Sequence, residues 1–283
     1  GTITLDATDW DQSTGAITGA SAANPCVVTD VAHGLSTGNI IGIAGIVGTI
    51  GTDATNGLNG NIYTVTVLTA DTFEIRPSNT TGLAYTSGGT WYKIPNTRTT
   101  ALVSQDGVQV KSGATSRRYL GTCMTTGVSG ETENSASKRY VWNYYNQLFA
   151  PMVRREDTGS WTYNSTTPRQ ANNRPHNQLN FVSGIAEATI HGCVRIKASV
   201  DTLSDVKVFL GLDGTTAVAD FIANSVPVAV GDFEVVSYEA WSRVNSVGYH
   251  FLAWIEEGAA PTGTIIHTYY GQSNFGAAGD ILC

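Results

Sequence analysis

The feature that most constrains this chain is a series of short apolar runs, rich in Val, Ile, Thr and Tyr, that Gly, Asn and Asp residues interrupt. Residues 61–68 alternate polar and apolar side chains, and a turn at Ala70-Asp71 leads into a second such run at 71–76. Alternation with a period of two buries one face of a strand, and the interrupting residues favour turns. The pattern predicts an all-β protein.

The same pattern divides the chain into two blocks of different texture. Residues 15–95 follow an N-terminal extension at 1–14 and predict a small β-barrel or sandwich. Residues 96–117 have no long apolar run and predict a linker with one strand at 100–104. The predicted strands of the first block are 26–29, 40–43, 61–68, 71–76 and 89–94.

The second block, 118–283, has longer apolar runs and predicts an antiparallel, jelly-roll-like sandwich. A single helix of one or two turns is predicted at 216–223. The predicted strands of this block are 139–147, 159–164, 178–187, 189–200, 205–213, 233–241, 247–256 and 263–270.

The charge and the hydropathy of the chain argue against two classes of partner, nucleic acids and membranes. Charged residues are 14% of the 283 residues and the net charge is −7, whereas about 25% charged is typical. Nucleic-acid binding needs a dense positive face, so it is not expected. No apolar stretch reaches the roughly 20 residues that span a bilayer, so membrane insertion is not expected.

Catalytic and metal-binding patterns are missing from the sequence, which predicts no cofactor, no metal and no enzymatic activity. The cysteines are too far apart for a zinc knuckle and are expected to be buried free thiols. His33 lies in a Gly-rich turn, where we expect its ring to hydrogen-bond the loop. The cysteines are Cys26, Cys123, Cys193 and Cys283.

A glycan hydrolase would need two carboxylates about 5–10 Å apart. Asp213-Gly214 is better explained as a turn, and Glu256-Glu257-Gly258 is typical of a strand end that faces water. The remaining acidic candidates are Asp220, Glu234 and Glu239.

The first block contains several separated motifs. They are Ala32-His33-Gly34-Leu35-Ser36-Thr37-Gly38-Asn39, Leu58-Asn59-Gly60, Tyr63-Thr64-Val65, Thr69-Ala70-Asp71-Thr72-Phe73-Glu74-Ile75 and Thr86-Ser87-Gly88-Gly89-Thr90. Together they resemble a small β module of tailed-phage tail and fibre proteins, which is similar to a small domain of ubiquitin-activating enzymes. The resemblance covers about 75 residues and implies a spacer or docking module that carries no chemistry.

The second block resembles C-terminal domains of phage and gene-transfer-agent structural proteins over about 60 residues. This resemblance implies a location in a virion, on the particle surface or the tail. The residues that carry it are Tyr119-Leu120-Gly121-Thr122, Lys138-Arg139-Tyr140-Val141-Trp142-Asn143-Tyr144-Tyr145-Asn146, Pro151-Met152-Val153-Arg154-Arg155, Ser160-Trp161-Thr162-Tyr163 and Arg169-Gln170-Ala171-Asn172.

Two sets of residues are candidates for binding. Sugar sites combine aromatic faces with planar polar groups, and the C-terminal part holds Trp241, Tyr249, Tyr269, Tyr270 and Asn274. Aromatic and arginine side chains are enriched in subunit interfaces. Candidates of that kind are Arg139, Tyr140, Trp142, Tyr144, Arg154 and Arg155. For most of these residues, a place in the core remains the simpler alternative.

Taken together, the sequence predicts a virion structural protein: a fibre, spike or tail-tip subunit that contacts other virion proteins. We expect a symmetric homo-oligomer, first a trimer and second a pentamer, that binds a host surface polysaccharide. The alternatives are a decoration or connector protein with no ligand, and a capsule-glycan hydrolase.

Overall fold

The computed structural model describes residue 3 and residues 5–126, 131–186, 188–201, 204–214, 224–228, 234–258, 267–270 and 276–282. Almost all regular structure in this part of the chain is antiparallel β-sheet, which confirms the predicted all-β class. The helix predicted at 216–223, together with Asn274 and Cys283, lies outside the described residues.

The N-terminal module is one sheet of seven strands that follows a 3-10 turn at Ala7–Asp9 and includes a single helical turn, α1 (Thr49–Thr52). The strands pair in the order β1-β7-β4-β5-β6-β3-β2. Its apolar face closes over a core that includes Ile41, Tyr63, Phe73 and Trp91. The strands are β1 (Thr14–Ala16), β2 (Gly19–Ala20), β3 (Cys26–Thr29), β4 (Ile40–Ala44), β5 (Ile62–Val67), β6 (Thr72–Arg76) and β7 (Thr90–Lys93).

A three-stranded sheet follows, in the segment where the sequence predicted a linker with one strand. The strands are β8 (Leu102–Gln105), β9 (Val108–Lys111) and β10 (Ala114–Arg118). The strand predicted at 100–104 corresponds to β8, whereas β9 and β10 were not predicted. Strand β10 is polar and mostly exposed, so it lacks the apolar alternation that marks a strand with one buried face, and β9 alternates over four residues only. A turn at Asp106-Gly107, with both residues at positive φ, joins the first two.

Ion pairs fasten the N-terminal extension to this small sheet. Lys111 Nζ lies 2.8 Å from carboxylate oxygens of both Asp6 and Asp9. Arg98 also pairs with Asp9, which is 2% exposed. Residues before β1 are therefore held against β9.

Strands of the second block form two larger sheets and one short ribbon. In chain order they are β11 (Gly121–Cys123), β12 (Lys138–Arg139), β13 (Val141–Asn143), β14 (Phe149–Arg155), β15 (Trp161–Thr162), β16 (Arg169–Gln170), β17 (Gln178–Ser183), β18 (Thr189–Val200), β19 (Ser204–Leu212), β20 (Asn224–Val228), β21 (Glu234–Arg243), β22 (Gly248–Gly258), β23 (His267–Tyr270) and β24 (Gly276–Leu282). A 3-10 turn at Ala171–Asn173 precedes β17. Among the described strands, β11 and β13 pair only with each other.

The inner sheet has the order β12-β17-β22-β19-β20, with β16 added beside β22. The outer sheet has the order β14-β24-β18-β23-β15, with β21 added beside β18. The two sheets pack face to face around a core that includes Leu179, Phe181, Leu252 and Trp254. This arrangement is an antiparallel sandwich.

The inner sheet is buried on both faces because alternate residues of β17 and β22 enter different cores. Leu179 and Trp254 face the outer sheet. Val182 and Tyr249 face the other way and pack with Ile94 and Trp142. This second core joins the sandwich to the N-terminal module and positions the candidate site between them.

Two strands of the outer sheet were not predicted. Strand β14 contains Pro151 and exposes Phe149 and Val153, and β24 consists largely of small residues. Neither has the apolar alternation on which the prediction depended. Strand β14 forms by pairing with β24, and β24 forms by pairing with both β14 and β18, so tertiary contacts outweigh their local preference.

Candidate functional site

A cleft of about 1140 Å³ lies where the N-terminal module, the three-stranded sheet and the inner sheet meet. The module contributes Ile62 and Tyr92, and the three-stranded sheet contributes Lys111 and Arg117. Side chains on the outward face of the inner sheet form the floor of the cleft. Its volume is slightly above that of common ligand pockets, which is about 300–1,000 Å³.

The floor is a hydrogen-bonded set of Gln178, Asn180 and Tyr249. Gln178 Nε2 donates to Asn180 Oδ1 at 2.6 Å, and the Tyr249 hydroxyl donates to the same oxygen at 2.5 Å. Tyr140 packs edge-on against Tyr249, with ring centroids 6.4 Å apart. These bonds hold the amide planes and rings in one orientation.

Several polar groups of the cleft are left without a partner in the described part of the chain. Asn180 Nδ2 and the hydroxyls of Tyr92 and Tyr140 line the cleft and make no hydrogen bond to another described residue. Burial is the main reason that the pKa of Tyr140 lies above its usual range, with the Glu133 charge adding to it. Both phenols therefore stay protonated near neutral pH and offer donors to a ligand.

Basic residues outnumber acidic ones along the described walls of the cleft. Five of the seven basic side chains pair with a carboxylate. The two without a carboxylate partner are Arg118, which donates to the Tyr145 hydroxyl, and Arg154. The basic residues are Lys93, Arg98, Lys111, Arg117, Arg118, Lys138 and Arg154, and the acidic residues are Asp6 and Glu133.

Arg154 and His176 stand together at one end of the cleft. The Nε atom of half-buried Arg154 is shielded from solvent and has no hydrogen-bond partner among the described residues. Burial, together with the neighbouring Arg154 charge, lowers the pKa of His176 to about 4. His176 is therefore neutral at pH values above about 6.5.

A second polar group, here called the edge cluster, consists of Glu156, Glu256, Arg169, Arg174 and Asn172. Arg169 Nε donates to Glu256 Oε1 at 2.8 Å, and Arg174 Nη1 donates to Glu156 Oε1 at 2.8 Å. Both carboxylates are fully buried. The cluster is saturated with internal bonds and does not line the cleft.

The prediction that Glu256 lies at a water-facing strand end was wrong. Its carboxylate also accepts hydrogen bonds from Trp161 Nε1 at 2.6 Å and from the Asn172 backbone N–H at 3.1 Å. Burial raises the pKa of Glu256 above its usual value, although these donors and Arg169 oppose the rise. The reason is that β16 pairs with β22 there and covers the strand end.

The residues predicted to bind glycan do not meet in one place. Tyr249 is buried in the floor of the cleft, whereas Tyr269 is fully buried between the two sheets, stacked on Trp161 at 5.9 Å. Trp241 is 56% exposed on the outer sheet. It pairs with His191, and Tyr269 pairs with Ala198, about 23 Å further along β18. Tyr270 is in β23, and Asn274 lies outside the described residues.

The residues predicted to form a subunit interface also separate. Tyr140 and Trp142 are 3% and 1% exposed, so they belong to the core between the module and the inner sheet. Arg139 and Tyr144 are half-buried, and Arg155 is exposed on the opposite side of β14 from Arg154. Among these six residues, Tyr140 and Arg154 line the cleft. The interface prediction was wrong for the two buried aromatic residues because their strands fold under the module.

His33 has the structural role that was predicted. The Leu35 backbone N–H donates to His33 Nδ1 at 2.9 Å, so the other ring nitrogen carries the proton and donates to the Thr69 carbonyl at 3.0 Å. Cys26 is buried as predicted, but Cys123 is exposed beside the cleft and Cys193 is half-buried.

No three His, Cys, Asp or Glu side chains in the described ranges are arranged to hold a metal ion. Within the same ranges, no helix is long and apolar enough to cross a membrane.

Comparison with known proteins gives weak matches only. No family model matches the chain, and no curated protein matches it. Among solved structures, the VP2 subviral particle of infectious bursal disease virus aligns with 98% of this chain and 73% of its own at 10% identity, with a TM-score of 0.31. An aminopeptidase from a marine sediment archaeon (Thaumarchaeota archaeon) aligns with 58% of this chain at 9% identity and a TM-score of 0.23.

The insecticidal delta-endotoxin Cry8Ea1 of Bacillus thuringiensis aligns with 96% of this chain at 8% identity and a TM-score of 0.25. This chain spans 36% of the aminopeptidase and 53% of the endotoxin. A viral particle protein, an enzyme and a toxin thus have similarly low scores, and similarity at this level identifies no function.

Proposed function

We propose that this chain is a virion structural protein that binds a host surface glycan in the cleft between its N-terminal module and its sandwich. The virion role rests on the resemblance of both blocks to phage structural proteins. The glycan role rests on one observation, the floor of oriented amides and phenols in which Asn180, Tyr92 and Tyr140 keep free donors.

Such a floor suits a saccharide for two reasons. Sugar hydroxyls need several fixed donors and acceptors, and a few placed polar groups in an aromatic-lined pocket provide orientation and specificity. The half-buried rings of Tyr92 and Trp10 offer apolar surface to the C–H faces of a sugar ring.

Self-association is part of the proposal, and the outer sheet supports it. Pro151, Asp280, His191 and Trp241 are opposite one another across four strands and therefore share one face. By alternation, Phe149 and Val153 lie on that face too, exposed by 57% and 39%. Exposed apolar surface of this kind is typical of contact with another protein. We propose that copies of the chain meet here, as a trimer first and a pentamer second.

The proposal includes no catalytic step. Glu156 and Glu256 are the fully buried glutamates of the described chain, and each is bound by an arginine. Carboxylates held in this way are not placed to act on a glycosidic bond.

The direct test applies the full chain to an array of bacterial capsular and cell-wall polysaccharides. We expect binding to a subset of the array, and we expect Asn180→Ala to abolish or strongly weaken it. Trp241→Ala is the control, because that side chain is on the outer sheet, away from the cleft. Absence of binding to every polysaccharide would overturn the glycan role and favour the decoration or connector alternative.

A further inference from the structure

We infer that the cleft selects an acidic saccharide, with Arg154 receiving its carboxylate or sulfate group. This inference rests on the proposed glycan function and names the class of glycan. It follows from the charge of the cleft, from the unsatisfied state of Arg154, and from the neutral imidazole of His176 beside Arg154.

The charge of the cleft is opposite to that of the whole chain. The chain has a net charge of −7, with 16 basic and 23 acidic residues. The described walls of the cleft nevertheless have seven basic residues and only two acidic ones. A concave wall of one sign attracts ligands of the other sign, because low-dielectric walls focus the field.

Most of these basic side chains form ion pairs or hydrogen bonds within the fold, and Arg154 is the exception. Lys111, for example, bridges Asp6 and Asp9, and Lys138 pairs with Glu133 at 2.9 Å. Arg118 stacks on Tyr145, with its guanidinium 4.2 Å from the ring centroid. In the described part of the chain, Arg154 makes neither a hydrogen bond nor an ion pair through its side chain.

The local structure directs the Arg154 side chain inward. Strand β14 alternates so that Met152 enters the sandwich core, and Arg154, two residues later, is on the same face. A half-buried guanidinium with a shielded, unpartnered N–H is costly to keep. A bidentate carboxylate or sulfate would satisfy it, since the planar fork of arginine matches that geometry.

His176 adds to the selectivity without competing for the anion. Its neighbours Arg154 and Arg174 disfavour its protonation, whereas Glu156 and Asp157 favour it, and the ring stays neutral at physiological pH. A neutral imidazole beside Arg154 can donate one hydrogen bond to a sugar hydroxyl or ring substituent. The fixed positive charge at this end of the cleft is therefore that of Arg154.

A saccharide fits this site better than a nucleic acid does. Nucleic-acid binding requires several unpaired cations along the path of the phosphates. In the described walls, five of the seven basic residues are already paired with carboxylates. One free guanidinium among neutral amides and phenols suits a chain that carries one acidic group among many hydroxyls.

The test compares matched ligands and matched variants of the full chain. The probes are short oligosaccharides of hyaluronan, alginate and polygalacturonate, together with any acidic polysaccharide that binds on the array, each with its carboxyl-reduced derivative. The variants are Arg154→Gln and Arg155→Gln. Arg155 is the next residue of β14 and is exposed on the other side of the strand.

We expect at least one acidic probe to bind about tenfold or more tightly than its reduced form, as a charged hydrogen bond predicts. Arg154→Gln should remove that difference between the acidic and reduced forms, whereas Arg155→Gln should keep it. Equal affinity for acidic and reduced forms would overturn the inference while the glycan function stands. Binding to no saccharide would overturn the glycan function itself. If a single-stranded oligonucleotide bound more tightly than any acidic probe, the basic residues of the cleft would serve nucleic-acid binding, and the inference would also be overturned.

Discussion

The edge cluster and the cleft are two polar regions that lie against the same inner sheet and differ in how far their groups are satisfied. In the edge cluster, Glu256 accepts bonds from Arg169, Trp161 and Asn172, and Glu156 accepts from Arg174 and Asn177. In the cleft, Arg154 Nε is shielded from solvent and has no partner among the described residues, and no hydrogen bond joins Asn180 Nδ2 or the Tyr140 hydroxyl to another described residue. Saturated groups stabilise the fold, and unsatisfied groups on a rigid floor are available to a ligand.

The comparison predicts that damage to the edge cluster has the largest effect on stability. Glu256→Gln removes a fully buried carboxylate charge and leaves the half-buried Arg169 without its counter-charge, and we expect a loss of about 3 kcal/mol or more in the free energy of unfolding. Urea denaturation monitored by tryptophan fluorescence measures this. The control Glu257→Gln, which removes a half-buried pair with Lys207, should cost less than about 1 kcal/mol. Equal losses for both variants would contradict the distinction.

A change in the cleft should reverse this pattern, with a loss of binding and little loss of stability. Tyr140→Phe keeps the ring against Tyr249 but removes a hydroxyl that has no partner among the described residues. We expect glycan affinity to fall about fivefold to tenfold, the usual value of one hydrogen bond, and the urea midpoint to stay the same. A large loss of stability would show that the hydroxyl serves the fold instead.

The environment of His176 makes the stability of the protein depend on pH. The pKa of His176 is lowered to about 4 in the folded protein from an ordinary value of 6.5. The unfolded chain therefore takes up a proton first, and stability falls as the pH decreases from about 6.5 towards 4. Above pH 6.5 the residue contributes no pH dependence.

We expect His176→Gln to flatten the dependence of the unfolding free energy on pH within that window. Glu156, Asp157, Arg154 and Arg174, which face His176, are retained in the variant. Denaturation series at several pH values with and without the substitution measure the difference. The same slope in both proteins would refute the placement of His176 in a buried, positively charged environment.

The smallest effect is expected on the outer sheet. Trp241→Ala removes an exposed ring that stacks on His191 at 4.3 Å, and we expect the unfolding free energy to change by less than about 0.5 kcal/mol. Glycan binding by the isolated chain should not change. Analytical ultracentrifugation should show weaker self-association if copies meet on this face, and unaltered association would remove Trp241 from the contact.

Local sequence determined the strands that have one buried face. Residues of β5 and β6 alternate so regularly that the predicted runs 61–68 and 71–76 differ from the observed strands by at most two residues at an end. The all-β class and the turn role of His33 also follow from local pattern and turn chemistry, because each depends on neighbours in the chain. The same applies to β18, which was predicted at its observed bounds.

Only the tertiary structure decided which polar residues are buried and which of them are satisfied. Glu256 follows an apolar run and precedes Glu257-Gly258, so its sequence context is that of a strand end in water, yet β16 covers it with Arg169. Tyr249 and Tyr269 both lie in predicted strands, yet they enter different cores. Arg154 was predicted to lie in a subunit interface, and its place in the cleft follows from the pairing of β14 with β24, which turns its side chain inward. These outcomes depend on contacts between residues far apart in the chain, and a pattern with a period of two holds no information about the partner that will cover a given face.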